Sequence, residues 1–425
     1  MMLIEYPKNK TKVQRIIQRS GIDYKDILPT VGSILEAVKK GGDKALFECT
    51  KKFDNFDLNE KNIRISREEV KRAYKNVSPD VVKSLKYAYR NIKKYHEEQF
   101  RRIIKNWSFR TENGVNIEEK IRPIDSIGCY IPGGLASYPS TVLMTCIPAK
   151  VSGVKRIVIV SPPPIKDVIL VAADICGIDK IYRVGGVQAI GALAYGTNAI
   201  LNVSKIVGPG NKYVMAAKNL VYGTVDIDMP AGPSEVLIIA DNSSNPDFIA
   251  ADLLAQAEHD TDASCVLVIQ SESIIKKVES RIGKQRKTLK RRKILEKSLN
   301  KIAFVLARDM KDAIKFANEF APEHLEIMTK NPEKVADKIE NAGTIFLGLY
   351  GTVAAGDYST GANHVLPTSG AARFSSQLSV RDFLKTSSIQ KINKGGLGKL
   401  RETIGILSDV EGFDAHKKSV EIRFE

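Results

Sequence analysis

Residues 156–195 read RIVIVSPPPIKDVILVAADICGIDKIYRVGGVQAIGALAY. Two short runs in this stretch, Arg156–Val160 and Lys180–Val184, are apolar at nearly every position instead of every second one. Helical patterns, Lys166–Ile175 and Val187–Ala194, follow each of them. A strand that is apolar on both faces belongs inside a parallel sheet covered by helices on both sides. The pattern extends outward in both directions. Upstream, the run Ser126–Ile131 precedes a helical stretch at Ser140–Val151. Downstream, Lys205–Val207 precedes Lys212–Val221, and Thr224–Ile227 closes the series. Strand-helix alternation of this kind predicts an α/β unit over about 122–233.

A second alternation follows. Its strand-like runs are Glu235–Ala240, Ser264–Ile269, Lys301–Leu306, Leu325–Met328 and Gly343–Leu347. Its helical stretches are Pro246–Glu258, Ser271–Leu299, Met310–Phe320 and Pro332–Glu340. Residues 1–24 read as an N-terminal arm with a short helix, and 25–120 as helix-rich, with Val31–Phe47 and Ser66–Ile104 clearest and Pro79 dividing the latter. After about Gly370 the alternation stops, and the remaining chain is too short for a comfortable core of its own, so it is expected to dock on another surface. The fold class is therefore α/β: two Rossmann-like parallel domains with small helical N-terminal and C-terminal segments.

The chain has 425 residues, enough for two or three domains, and its 43% hydrophobic and 27% charged content is that of a globular protein. No run of 18 apolar residues offers a membrane span, and the start, MMLIEYPKNKTK, lacks a signal-peptide pattern, so the expected location is the cytoplasm. The five cysteines (Cys49, Cys129, Cys146, Cys176, Cys265) form no CxxC and read as small buried hydrophobes. The net charge of +16 invites a nucleic-acid reading, but residues 271–300 hold half of it, eleven Lys/Arg against three Glu. Their core, KQRKTLKRRK, lacks interleaved aromatics for base stacking, while Ile274, Ile275, Val278 and Ile282 fall at helical spacing. A solvated helix face is the expectation there, with no nucleic-acid partner.

Candidate chemistry concentrates in the second half, where four of the five histidines lie in polar contexts. Gln256 and His259 share one helix face in QAEHD. Glu323 and His324 in APEHLE offer a carboxylate beside an imidazole, a pattern suited to general base work if the backbone there is irregular enough for both to face one site. Asp357 and His364 lie in the small-residue loop AGDYSTGANHVLPT, and Glu411 and His416 in EGFDAHK near the C-terminus. His259, His416, Asp357 and Gln256 would make an N/O set suited to zinc, manganese or cobalt. His96, on a helical segment, reads as structural. In the first α/β unit three glycine-rich turns close strands: Tyr130–Gly134, Val184–Gly191 and Val207–Lys212. They suit a ligand crevice at the carboxyl ends of a parallel sheet, although none is a true G-x-G-x-x-G.

Taken together, the blocks YIPGG, STVLM, PAKVSGV, SPPP, VGGVQAIGALAYGT, VGPGNKYV, DMPAGPSEVLI, DLLAQAEHD, APEHLEI, AGDYSTGANHVLPT and EGFDAHKKSV resemble the histidinol dehydrogenase family, in family order from about residue 25 to 420. The resemblance implies a two-step, NAD-linked oxidation of L-histidinol through L-histidinal to L-histidine, the final step of histidine biosynthesis. It implies Gln256, His259, Asp357 and His416 as ligands of one Zn2+ per subunit, and Glu323 with His324 as the acid/base pair. Ser234, His364 and Glu411, with Gln256, His259, His324, Asp357 and His416, would hold the substrate, and Tyr130, Gln188 and Asn211 would contact NAD. It further implies an N-terminal arm (1–24), a substrate- and metal-holding domain (25–121 with 234–370), an NAD-binding domain (122–233) and a tail (371–425). The family is a homodimer in which that tail, with Glu411 and His416, reaches the partner's active site. Two rival readings stand beside it. A metal-dependent hydrolase would leave the glycine-rich turns unused, and a cysteine nucleophile for the second step would have to be Cys129 or Cys146.

Overall fold

The computed structural model describes residues 1–18, 24–103, 105–133, 137–229 and 232–425. Gly134 of the first glycine-rich turn, Pro230 and Ala231 of the DMPAGPSEVLI block, and Ile104 lie outside the described residues. Two parallel sheets dominate the fold. The first has five strands in the order Ile181–Arg183, Arg156–Ser161, Ser126–Tyr130, Lys205–Val207, Asp226–Ile227. The chain starts in the middle strand, moves outward, then crosses to the other side, so the order reverses between Ser126–Tyr130 and Lys205–Val207. A crevice at the carboxyl ends of these two strands is where doubly wound sheets bind ligands.

Alternate residues of the first sheet feed two cores. Ile127, Cys129, Ile157 and Ile159 pack with helices Arg67–Asn76, Pro79–Ile103, Pro139–Val151 and Asp167–Ile175. Tyr130, Val158, Val160 and Ile206 pack on the other face with helices Leu28–Asp54, Gly186–Tyr195 and Lys212–Val221. The helices over 28–103 therefore cover the first sheet, a different grouping from the expected attachment of 25–121 to the metal-bearing half. Local signals set their ends. Ser66 and Glu69 form a reciprocal capping box at Arg67, Pro79 opens the next helix, and Gly42, at φ +53°, breaks Leu28–Asp54 in two.

The second sheet has six parallel strands: Met2–Tyr6, Ala303–Ala307, Ser264–Ile269, Glu235–Ala240, His324–Met328, Thr344–Leu347. Apart from the N-terminal edge strand it repeats the winding of the first. Met2–Tyr6 was expected only as part of an arm; it extends the sheet by pairing with Ala303–Ala307. The basic stretch also departs from the single helix expected over 271–299. Glu272–Gln285 buries Ile274, Ile275, Val278 and Ile282 as its spacing predicts, but the chain then breaks through Arg286–Thr288 before Arg292–Ser298. Successive like charges at helical neighbour positions disfavour one continuous helix there.

A third sheet joins Leu384–Ile392, Val115–Pro123 and Trp107–Glu112 in antiparallel fashion. Trp107–Glu112 and most of Leu384–Ile392 are exposed, so no buried alternation marks them in the sequence. The chain ends in helices Lys394–Glu411 and Asp414–Glu421; Ile406, Leu407 and Val410 of the first, Phe413 between the two and Ile422 after the second are exposed. Among the described residues no helix is long and apolar enough to cross a membrane.

Candidate active site

The polar cluster lies at the amino ends of two central strands of the second sheet, Glu235–Ala240 and His324–Met328. Helix Met310–Phe320 ends in Ala321, held in the left-handed region at φ +50°, and Pro322 then delivers Glu323 and His324. A non-glycine residue in that region carries strain, and such strain collects at functional sites. Here it supplies the irregular backbone that lets neighbouring side chains face one site: Glu323 Oε2 lies 3.5 Å from His324 Nδ1. Gly343 permits the adjacent strand to come close, since a Cβ there would sit 2.6 Å from the Glu323 carbonyl oxygen.

Glu235, which sequence reasoning did not single out, fixes both residues through its backbone. Its N–H donates to Glu323 Oε2 at 2.7 Å, and its carbonyl lies 2.9 Å from His324 Nδ1. A carbonyl can only accept, so Nδ1 carries the ring proton and Nε2 is the basic nitrogen. Nε2 is 3.9 Å from Asp357 Oδ1, which is 3.7 Å from His364 Nδ1. His364 Nδ1 also lies 3.0 Å from the Asp357 carbonyl. Burial alone would push the His324 ring down, but the Glu323 carboxylate, then Asp357 and the Glu235 carbonyl, outweigh it and hold its pKa at about 9. His364 goes the other way: burial lowers its pKa, and Asp357 offsets this only in part.

The loop carrying His364 is anchored from behind by His96. Its Nδ1 lies 2.8 Å from the Ile92 carbonyl, leaving Nε2 to face the Asn363 amide at 3.4 Å. That amide also donates to the Met144 carbonyl at 2.8 Å. Burial lowers the His96 pKa, which keeps the ring neutral in this structural place.

The structure thus brings Glu323, His324, Asp357 and His364 together. Ser234 directly precedes Glu235 at the edge of the cluster. Gln256 and His259 sit at the end of helix Pro246–Ala257, where Gln256 is 2% exposed and His259 is exposed. Both polar atoms of the Gln256 amide are buried and without a partner among the described residues. Such a group is costly unless something satisfies it, and a metal ion would satisfy the amide oxygen, while the NH2 would still need an acceptor. Glu411 and His416 lie elsewhere, exposed on the C-terminal helices, with His416 5.1 Å from the Phe413 ring. Among the described residues no three His, Cys, Asp or Glu side chains converge as a metal site.

Tyr130 ends the middle strand of the first sheet, at the switch crevice, and its hydroxyl accepts from the Gly186 N–H at 3.1 Å. Burial pushes that phenol up to about 12. Gln188 is buried in the first turn of the helix that begins at Gly186, with its amide 3.3 Å from Asp54 Oδ2. Asn211 caps helix Lys212–Val221, its Oδ1 accepting from Tyr213 and Val214 N–H at 3.0 and 3.1 Å. Cys129 and Cys146 are fully buried beside each other, Sγ to Sγ 3.7 Å, and burial pushes the Cys129 thiol well up. A thiol of that kind is not an activated nucleophile.

Fold and site together define a dehydrogenase: a doubly wound domain with a topological switch point, and a second that sets an oriented imidazole among carboxylates. The sequence matches the histidinol dehydrogenase family model over residues 17–424. It is 49% identical over 418 residues to histidinol dehydrogenase of Methanococcus maripaludis, covering 98% of this chain and 97% of that protein. With the enzyme of Methanothermobacter thermautotrophicus it shares 48% over 413 residues, 96% of each chain. The crystal structure of histidinol dehydrogenase from Elizabethkingia anophelis superposes with a TM-score of 0.92 at 40% identity, covering 100% of this chain and 98% of that one. The chain belongs to the histidinol dehydrogenase family, oxidoreductases of the final step of histidine biosynthesis.

Proposed function

We propose that this chain oxidises L-histidinol to L-histidinal and on to L-histidine, with two NAD reduced and one zinc ion per subunit. The observation that carries the reading is the orientation of His324, whose Nδ1–H points to the Glu235 carbonyl and whose Nε2 faces Asp357. Nε2 would take the alcohol proton, and NAD, when bound, would supply the acceptor for the carbinol hydride. One carboxylate oxygen of Glu323 is tied to the Glu235 N–H, so the other is available to take a proton from the water that hydrates the aldehyde. The resulting diol loses its second hydride with His324 again the base. The ring's raised pKa of about 9 means that its basic form grows toward alkaline pH, so turnover should rise with pH up to that value.

Gln256, His259 and Asp357 would hold the zinc, with His416 supplied by the partner subunit of a homodimer. Bound there, zinc would grip the imidazole and amine nitrogens of the substrate and present the reacting carbon. The unpartnered Gln256 amide oxygen supports that assignment, and the exposed apolar residues at the C-terminal helices support the dimer. His364, Ser234 and Glu411 are assigned to the substrate, and Tyr130, Gln188 and Asn211 to NAD at the switch crevice. No membrane or nucleic-acid partner enters this reading, and the cytoplasm is its setting. The test is NADH formation from L-histidinol and NAD, before chelation, after it, and after zinc is restored. Loss on chelation and recovery with zinc supports the reading; no NADH from zinc-loaded protein overturns it.

A further inference from the structure

One buried ion pair belongs to no step above. Lys218, on helix Lys212–Val221, has 0% exposure and pairs with Asp228 just past the last strand of the first sheet. Both side chains also close on a single residue, Gly208, holding the two peptide units on either side of its Cα. Lys218 Nζ donates to the Gly208 carbonyl at 3.0 Å, and Asp228 Oδ2 accepts from the Gly208 N–H at 2.6 Å. A buried lysine is costly and persists only where charge and hydrogen bonds satisfy it; here the carboxylate and the carbonyl do so.

Gly208 is no ordinary turn residue. Its φ is +112°, and a Cβ would overlap the Tyr130 carbonyl oxygen. Its conformation therefore sets how closely the Gly208–Asn211 turn approaches the end of the middle strand. Tyr130 passes the same constraint across the sheet, since its hydroxyl accepts from Gly186 N–H. Gly186, at φ +63°, in turn abuts the Gln188 side chain, with a Cβ there 2.7 Å from Gln188 Oε1. Tyr130, Gln188 and Asn211, the three residues assigned to NAD, are thus linked through two positive-φ glycines to one clamped turn at Gly208.

We infer that the Lys218–Asp228 pair is a positioning device for NAD, fixing the backbone on both sides of Gly208 so that the switch crevice is preformed for the dinucleotide. The inference rests on the placement of NAD at that crevice. Neither residue is assigned a contact with the cofactor. Preorganisation of this kind reduces the ordering cost of binding and leaves the chemistry alone.

The test compares Lys218→Met, the neutral double variant Lys218→Met/Asp228→Leu and Asn211→Ala, each as zinc-loaded full-length protein. KM for NAD, kcat at saturating NAD, zinc stoichiometry and melting temperature are measured. The double variant covers the case in which Lys218→Met strands a buried carboxylate and fails to fold. The expected result is a rise in KM for NAD of about tenfold or more in the clamp variants, with kcat within about threefold and zinc stoichiometry unchanged. An unchanged KM for NAD in a folded clamp variant, beside a raised KM in Asn211→Ala, refutes the clamp and leaves the crevice assignment standing. An unchanged KM in all three refutes both. A fall in kcat or zinc content with KM unmoved makes the pair a general structural element and overturns the inference.

Discussion

Glu326→Gln tests whether a buried carboxyl in the strand that begins at His324 holds a proton at neutral pH. Glu326 lies two residues along the strand from His324, on the same face, and is fully buried. Its Oε1 accepts from Val353 N–H at 2.9 Å, at the start of the short helix carrying Asp357. Its Oε2 has no donor, and the Asp252 carboxyl, held by the Thr352 hydroxyl at 2.8 Å, faces it. Burial first, then the Asp252 charge, raises the Glu326 pKa from 4.5 to about 8. For an acid raised in the folded state the stabilisation is complete below the unfolded pKa and is lost as pH rises toward the folded one. Between those values the folded chain holds a proton that the unfolded chain has released, at about 1.4 kcal/mol per pH unit. From pH 5 to pH 8 this group should therefore cost the wild type on the order of 3 kcal/mol. Glutamine can accept from Val353 and donate to Asp252 without a titratable proton. Urea denaturation followed by far-ultraviolet circular dichroism at pH 5, 6.5 and 8 should show the variant gaining on the wild type by about that amount as pH rises. A constant offset between the two proteins at all three values would refute a shared proton at this pair.

Two further substitutions probe the site itself. Glu323→Gln should slow oxidation of supplied L-histidinal by about 10²-fold or more while slowing the alcohol step less; equal losses in stopped-flow NADH traces would remove Glu323 as the water activator. His416→Ala should weaken zinc binding by more than the 10–100-fold typical of an outer-shell change, read by competition with a chromogenic chelator. Mixed with inactive His324→Asn protein, it should regain activity in hybrid dimers, because one of the two sites then holds an intact His324 and a partner His416. No recovery in verified hybrids would place His416 in the site of its own chain.

The strands of both large sheets are legible because burial on two faces leaves continuous apolar runs, as in Arg156–Ser161 and Glu235–Ala240. Trp107–Glu112 and Leu384–Ile392 are illegible for the opposite reason: they pair along their edges while their side chains stay exposed. Glu323 and His324 stand out as neighbours, whereas Glu235 acts on them through backbone atoms that any residue could supply. Lys218 and Asp228 are also hidden, since neither their burial nor the Gly208 backbone between them shows in spacing. His416 lies in a recognisable block, yet within one chain it remains on an exposed helix, away from Asp357.

The most direct test of the account is the yield of NADH per L-histidinol consumed to completion by the zinc-loaded protein, with the product identified. Two NADH and L-histidine are predicted, because one site with His324 and Glu323 side by side performs both oxidations. One NADH with L-histidinal released would contradict that claim.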